Sequence, residues 1–236
     1  MLGLGHLNLS GPEEMTTKFT KAFAAIIAAL LALAIQQGLA RAFFWAQFAS
    51  STGQIPSLLA SGFLPDMAAS GLLLVPLILL IPPFISPLLR FGHWQGLFVF
   101  YFKMLSVVCA GLLVAKHLGY AKSGQAFGPD YLVLISGGGF EEFSTWQSSL
   151  PLWQAGLAWL ALAWVTSYIF PRLLAPLERI FLGVPAQRGW TLVAFVGLFP
   201  VLLYSGWPTN IQAQADLDAQ ARLHPLFGVY RSWSAQ

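Results

Sequence analysis

The chain has 236 residues, of which 57% are hydrophobic and only 9% are charged, and its formal net charge is +3 at pH 7. Soluble domains carry roughly 25% charged residues, so this composition excludes an ordinary soluble protein and predicts a polytopic membrane protein with one domain. The positive charge is small and spread over several loops, which argues against a nucleic-acid-binding surface. Cys109 is the only cysteine, which excludes an intrachain disulfide and a cysteine-based metal cluster. We interpret it as a small apolar helix residue.

The first predicted helix follows a short polar segment, residues 1–17. The capping-box spacing of Ser10–Glu13 predicts that a helix starts there. The apolar run over 19–40 is longer than the apolar region of a signal peptide, and no small-residue cleavage site follows it. We therefore predict an uncleaved helix 1 that runs on to about Phe48.

The second predicted helix follows a loop rich in serine, glycine and proline, residues 49–65. Helix 2 is expected from about Met67 to Leu89. It contains several prolines, which spanning helices tolerate because neighbouring groups satisfy the freed carbonyls.

The chain is organised around the stretch 91–120, and within it the run Trp94–Ala115, predicted as helix 3, is long and apolar enough to cross a bilayer, which takes about 20 residues. Lys103 lies near its middle. A charge at that depth costs about 2.5–3.5 kcal/mol unless it faces protein, water or a partner. We therefore expect helix 3 to face the inside of the bundle. Lys103 is a candidate for binding a lipid phosphate, and the alternatives are pairing with a carboxylate or extending to the membrane surface.

The longest polar segment, residues 116–150, contains Glu141 and Glu142 directly after three glycines. These carboxylates are candidates for facing a lipid head group or a cation. The alternative is that they begin a solvated helix, whose positive end suits acidic residues. The aromatic spacing over 140–146 predicts a short amphipathic helix at the membrane surface.

Helix 4 is predicted from about Trp153 to Phe170, because Pro171 follows. A compact basic connection, residues 172–189, then leads to helix 5, which is predicted from about Trp190 to Trp207. Three arginines in that connection favour a cytoplasmic N-terminus and a C-terminus on the outer side.

The C-terminal segment, residues 209–236, is predicted to be a juxtamembrane tail or linker with a polar helix over Asn210–Leu223. Arg222 and Arg231 lie there among large apolar residues, a mixture that suits a membrane surface. They are candidates for binding lipid phosphates or carboxylates, and simple anchoring is the alternative.

The predicted fold class is all-α, a polytopic transmembrane bundle of about five helices with an interfacial loop helix and a juxtamembrane C-terminal helix. The five-helix domain covers 18–208. No pair of histidines has metal-ligand spacing and no nucleophile motif occurs. We therefore expect no catalytic residue, no metal and no cofactor in this chain.

This layout resembles the membrane half of the sulfatase-like lipid head-group transferases, a group that includes lipoteichoic acid synthase and phosphoethanolamine transferases. The shared features are five helices, a long outer loop between helices 3 and 4, and a polar helix after helix 5. The tail His224–Ser232 is similar to the linker that precedes the outer catalytic domain in that family. The resemblance implies that the nucleophile and metal ligands lie in an outer domain, so none is carried over onto this chain.

The resemblance implies a membrane-embedded anchoring and lipid-binding domain of a phosphoglycerol or phosphoethanolamine transferase, in a bacterial-type inner membrane. Its expected partners are membrane lipids and a further polypeptide or outer domain, with no nucleic acid. The alternative is a non-catalytic integral subunit of a larger respiratory or photosynthetic complex, which the 14% aromatic content and the scarcity of charge fit equally well.

Overall fold

The structure is a computed structural model, and it describes four stretches of the chain: residues 12–49, 53–79, 91–123 and 152–182. Each stretch consists almost entirely of one helix, and in chain order these are α1 (Pro12–Phe48), α2 (Ile55–Leu79), α3 (Phe91–Ser123) and α4 (Leu152–Leu182). All four are long and apolar enough to cross a membrane. The prediction of an all-helical, multi-pass membrane protein is therefore confirmed. Predicted helix 5, the loop helix over 140–146 and the tail helix lie outside the described residues.

The central element of the bundle is α1, which packs against each of the other three helices. In its most apolar stretch 72% of the residues are buried, compared with 17% for α4. Many of its buried positions are alanines, including Ala24, Ala28 and Ala32, none of which is exposed. Small residues let neighbouring helices approach closely, which is how helices associate in a bilayer.

A cluster of large apolar side chains fills the bundle at the end where α1 and α3 begin. Phe102 and Phe170 bring α3 and α4 together, with ring centroids 4.5 Å apart, and Leu33 of α1 and Leu74 of α2 are fully buried in the same cluster. The four helices therefore share one core, and the polar features described below lie nearer the opposite end.

The start of α2 differs from the prediction, because the helix begins at Ile55 and includes most of the segment predicted as a loop. Pro65 lies inside it. Proline lacks an N–H group, so it leaves the carbonyl of Ser61 without its helical partner. A spanning helix nevertheless continues, because other groups of the bundle can hydrogen-bond the carbonyls near the proline.

The end of α4 also differs from the prediction, because the helix continues through Pro171 and Pro176 to Leu182. In the turn before Pro171, the hydroxyl groups of Thr166 and Ser167 donate to carbonyls four residues earlier, at 2.8 and 2.9 Å. Such bonds accommodate a local bend without ending the helix. The first part of the predicted basic connection is therefore helical.

The predicted helix 3 is confirmed and extends further than expected, since α3 runs to Ser123. Residues 116–123, predicted to open the polar loop, form its last two turns. At 1.5 Å per residue the 33 residues of α3 span about 50 Å. That length exceeds the hydrocarbon core of about 30 Å, so the ends of the helix extend beyond the core and can carry polar residues.

Candidate functional site

Three buried charges meet where α1, α2 and α3 come together. Arg41, Asp66 and Lys116 expose only 4%, 1% and 4% of their surfaces. Nη2 of Arg41 lies 2.5 Å from Oδ1 of Asp66. Buried charges are costly unless they are paired and hydrogen-bonded. This pair therefore joins α1 to α2 inside the bundle, and we call the three residues the charge cluster.

Gly62 and Pro65 shape the surface of α2 against which Arg41 packs. A Cβ atom added at Gly62 would overlap the guanidinium of Arg41. The Gly62 carbonyl accepts a hydrogen bond from Nη2 of Arg41 at 3.5 Å. Arg41 therefore supplies a donor one residue from the carbonyl that Pro65 leaves without its helical partner.

Lys116 of α3 lies against an aromatic group. Its Nζ atom is 5.0 Å from the centroid of the Phe44 ring, a cation–π distance. The same ring contacts His117 and Tyr120 edge-on, with centroids 4.9 and 5.1 Å away. The charge cluster contains two cations and one carboxylate, so it carries a formal net charge of +1.

Polar atoms without hydrogen bonds lie beside the charge cluster, between α1 and α2. Within the described residues, Oε1 of Gln37, Oδ2 of Asp66 and Oγ of Ser70 are buried and make no hydrogen bond. Gln37 lies one turn from Arg41, and Ser70 lies one turn from Asp66. The antiparallel register of the Arg41–Asp66 pair therefore places Gln37 opposite Ser70. Buried oxygens of this kind require water or another donor.

Gln36 connects α1 to the other side of the bundle. Its Nε2 atom donates to the carbonyl of Ser106 at 3.1 Å and to that of Leu162 at 3.4 Å. The indole of Trp159 also donates across the α3–α4 contact, to the carbonyl of Val107 at 2.8 Å. These bonds tie α1, α3 and α4 together next to the cavity described below.

A groove of ≈ 410 Å³ lies between α1, α3 and α4; we call it the lateral groove. Its walls are mostly apolar, with Phe43 from α1, Leu113 from α3, and Ala158 and Leu162 from α4. All of these residues lie within membrane-spanning stretches. The groove is therefore formed by the membrane-spanning part of the bundle.

The lining of the lateral groove changes from polar to apolar along its length. Gln47 and Gln154 line it at the end of the bundle where α1 finishes and α4 begins, while Leu39 and Val165 line it deeper in the membrane. The ring of His117 forms part of the wall between these two levels. This order of polarity matches that of a lipid, whose head lies at the surface and whose chain lies below.

The expectation that Lys103 faces the inside of the bundle is wrong. Its side chain is exposed, on the same part of α3 as Phe100 and Met104, which expose 65% and 51% of their surfaces. The long stem of lysine allows its ammonium to reach toward the membrane surface from such a position. The buried lysine of this helix is Lys116. Four other candidate lipid-binding residues lie outside the described residues: Glu141, Glu142, Arg222 and Arg231.

The charge cluster was missed by sequence analysis, whose predicted bounds leave Asp66 just before helix 2 and Lys116 at the start of the polar segment 116–150, and which does not single out Arg41 within helix 1. A signal for it exists in the polar pairs Gln37 with Arg41 and Asp66 with Ser70. Both pairs have four-residue spacing, which places each on one face of a helix. That signal becomes readable only when helix 2 is extended back before Pro65.

No group of three or more His, Cys, Asp or Glu side chains in the described stretches could hold a metal ion. Comparison of the chain with protein-family models, with curated proteins and with solved structures yields no match. Within the described residues, the lateral groove and the charge cluster are the two features that bear on function.

Proposed function

We propose that this chain is a membrane-embedded lipid-binding protein that holds one lipid in the lateral groove. We further propose that it anchors and supplies lipid to a head-group transferase of the phosphoglycerol or phosphoethanolamine type, and is not catalytic by itself. The observation that carries the proposal is the groove, with its apolar depth and its polar outer end.

The size and lining of the lateral groove support binding of a single lipid chain. Its ≈ 410 Å³ falls within the range of about 300–1,000 Å³ typical of small-molecule sites. Such sites are mostly apolar with a few placed polar groups. Burying an alkyl chain contributes about 0.8 kcal/mol per methylene when the chain comes from water. A chain that enters from the bilayer gains less free energy, because it leaves a medium that is already apolar. The shape of the groove and its polar contacts would therefore determine which lipid binds.

The position of the groove supports the transferase part of the proposal. Its polar end lies where α3 ends, and the predicted outer loop follows α3 directly in the chain. The candidate head-group residues Glu141 and Glu142 belong to that loop. A lipid held in the groove would present its head group on the side where the family resemblance expects an outer catalytic domain.

The test is to fill the groove and measure the lipid that stays bound. Ala158 lines the groove, so Ala158→Phe should cut retention of co-purified glycerophospholipid about 10-fold or more, measured by native mass spectrometry after gentle detergent extraction. The matched control is Ala175→Phe, an exposed position on the same helix and outside the groove. Equal lipid retention by wild type and both variants would refute lipid binding in this groove.

The same purification distinguishes the alternative function. A sulfatase-like polypeptide that co-purifies with the chain would support the transferase role. A fixed set of electron-transfer or pigment-binding subunits would overturn that role and assign the chain to a larger membrane complex.

A further inference from the structure

The outer side of α3 is a continuous apolar surface with one cation in it. Phe100, Met104 and Val108 expose 65%, 51% and 52% of their surfaces, and Val107 exposes 40%. Lys103 is exposed among them. Because these residues recur at spacings of three and four, they lie on one side of the helix. We call the five residues the α3 face.

Lys103 is the only polar residue of the α3 face, and the described bundle does not provide it with a partner. Within the described stretches its side chain makes no hydrogen bond, ion pair or ring contact. The carboxylate of Asp66 is bound by Arg41, between α1 and α2. A lysine near the middle of a spanning helix costs about 2.5–3.5 kcal/mol, and such residues usually pair with another group. The partner of Lys103 therefore lies outside the described residues.

Exposed apolar side chains on both sides of Lys103 place it within the lipid-covered part of α3. Leu97, which is 43% exposed, lies about 9 Å nearer the start of the helix. The side chain of a lysine extends about 6 Å, since its bonds are about 1.5 Å long. The ammonium therefore does not reach past Leu97. A bilayer that covers the exposed apolar residues of α3 also covers Lys103.

The charge of Lys103 determines which molecule fits the α3 face. Acyl chains leave the ammonium without a partner, and a lipid phosphate lies at the membrane surface, beyond its reach. A second copy of this chain, docked by two-fold symmetry, would bring two lysines together in a medium of low dielectric. The predicted helix 5, residues 190–207, contains no carboxylate. A spanning helix of a different protein can supply the carboxylate at the required depth.

We propose that the α3 face binds a membrane-spanning helix of another protein, in which an Asp or Glu carboxylate pairs with the ammonium of Lys103. The apolar residues of the face pack against that helix. Gly96, where an added Cβ would meet no atom within 4 Å, allows a close approach near the start of α3. The lateral groove takes its α3 lining from Leu113 onward, so this surface goes beyond the proposed lipid-binding function and does not depend on it.

The test is photo-crosslinking of the full-length chain in its native membrane, with benzoylphenylalanine in place of Phe100. Irradiation should join the chain to a polypeptide through a membrane-spanning peptide that contains Asp or Glu. Lys103→Met should lower the yield of this adduct about 10-fold or more, because it leaves a buried carboxylate unpaired. Lys103→Arg keeps the charge and should keep most of the adduct. Lys103→Glu should regain the adduct when the partner's carboxylate is replaced by lysine.

The control places benzoylphenylalanine at Phe63, an aromatic residue of α2 that is 44% exposed. Adducts formed there should not change in Lys103→Met, and lipid retention should stay at the wild-type level because Lys103 lies outside the lateral groove. Four results would overturn the inference: adducts with lipid alone, with a second copy of this chain, or with another segment of the same chain, and a protein adduct that Lys103→Met leaves unchanged. Ala158→Phe tests the lateral groove separately, so either proposal can fail while the other stands.

Discussion

The buried pair between Arg41 and Asp66 predicts that removing one partner is more damaging than removing both. Each side chain is at most 4% exposed, so a single substitution leaves a buried charge with less compensation. That costs about 3–5 kcal/mol in protein interiors. We expect Asp66→Leu and Arg41→Met each to lower the free energy of unfolding by about 3–5 kcal/mol. The smaller loss, about 3 kcal/mol, is expected for Asp66→Leu, because Arg41 then keeps the Gly62 carbonyl as a hydrogen-bond partner.

The double variant, Arg41→Met with Asp66→Leu, should recover most of the lost stability, because apolar residues of similar volume often replace a buried ion pair without loss. The assay is unfolding in mixed micelles by increasing dodecyl sulfate, followed by tryptophan fluorescence. Gln54→Leu is the control, since it removes an exposed polar side chain just before the start of α2. It should change the free energy of unfolding by less than about 0.5 kcal/mol.

The outcome that contradicts this reasoning is a cost of less than about 1 kcal/mol for both single variants. That is the value of an ion pair in water, and it would mean that the pair is hydrated rather than enclosed by α1 and α2. Strict additivity in the double variant would also contradict it, because side chains in direct contact are expected to be coupled.

Two further predictions follow from packing in the bundle. Gly62→Ala should lower the free energy of unfolding by about 1–3 kcal/mol, because the added methyl group would overlap the Arg41 guanidinium. Gly96→Ala, where no atom lies within 4 Å of the added Cβ, should instead leave stability unchanged or raise it by up to about 1 kcal/mol; equal effects in the micelle assay would contradict the packing. Cys109 is 3% exposed, so a membrane-permeant maleimide should label it only in the unfolded protein, and rapid labelling of the folded protein would contradict its burial.

The sequence predicted that these four helices exist, but it did not predict the start of α2 or the ends of α3 and α4. Long apolar runs predicted both ends of α1 and the start of α3 within a few residues, because a helix that spans a bilayer must be apolar over about 20 residues. The predicted start of α2 and the predicted end of α4 are wrong, because proline usually marks a helix boundary. Pro65 and Pro171 would end helices in water, but both lie inside helices here, where hydroxyl and guanidinium groups bond carbonyls near them.

The site residues were predicted less well, because sequence position does not determine which side of a helix meets a neighbour. Lys103 was predicted to face the inside of the bundle because it is the charge nearest the middle of an apolar stretch, yet its side chain is exposed. Lys116 looked like a loop residue, yet it is 4% exposed. The four candidates Glu141, Glu142, Arg222 and Arg231 remain predictions.

Composition and hydropathy alone determined that this is a helical, multi-pass membrane protein, because the cost of exposing backbone and charge to lipid acts on each stretch independently of its neighbours. Only the tertiary structure decided that Arg41 meets Asp66, that Gly62 makes room for the guanidinium, and that α1, α3 and α4 leave a groove beside His117. These features depend on the rotation and register of helices that are far apart in the chain. The packing of side chains between those helices determines their rotation and their register.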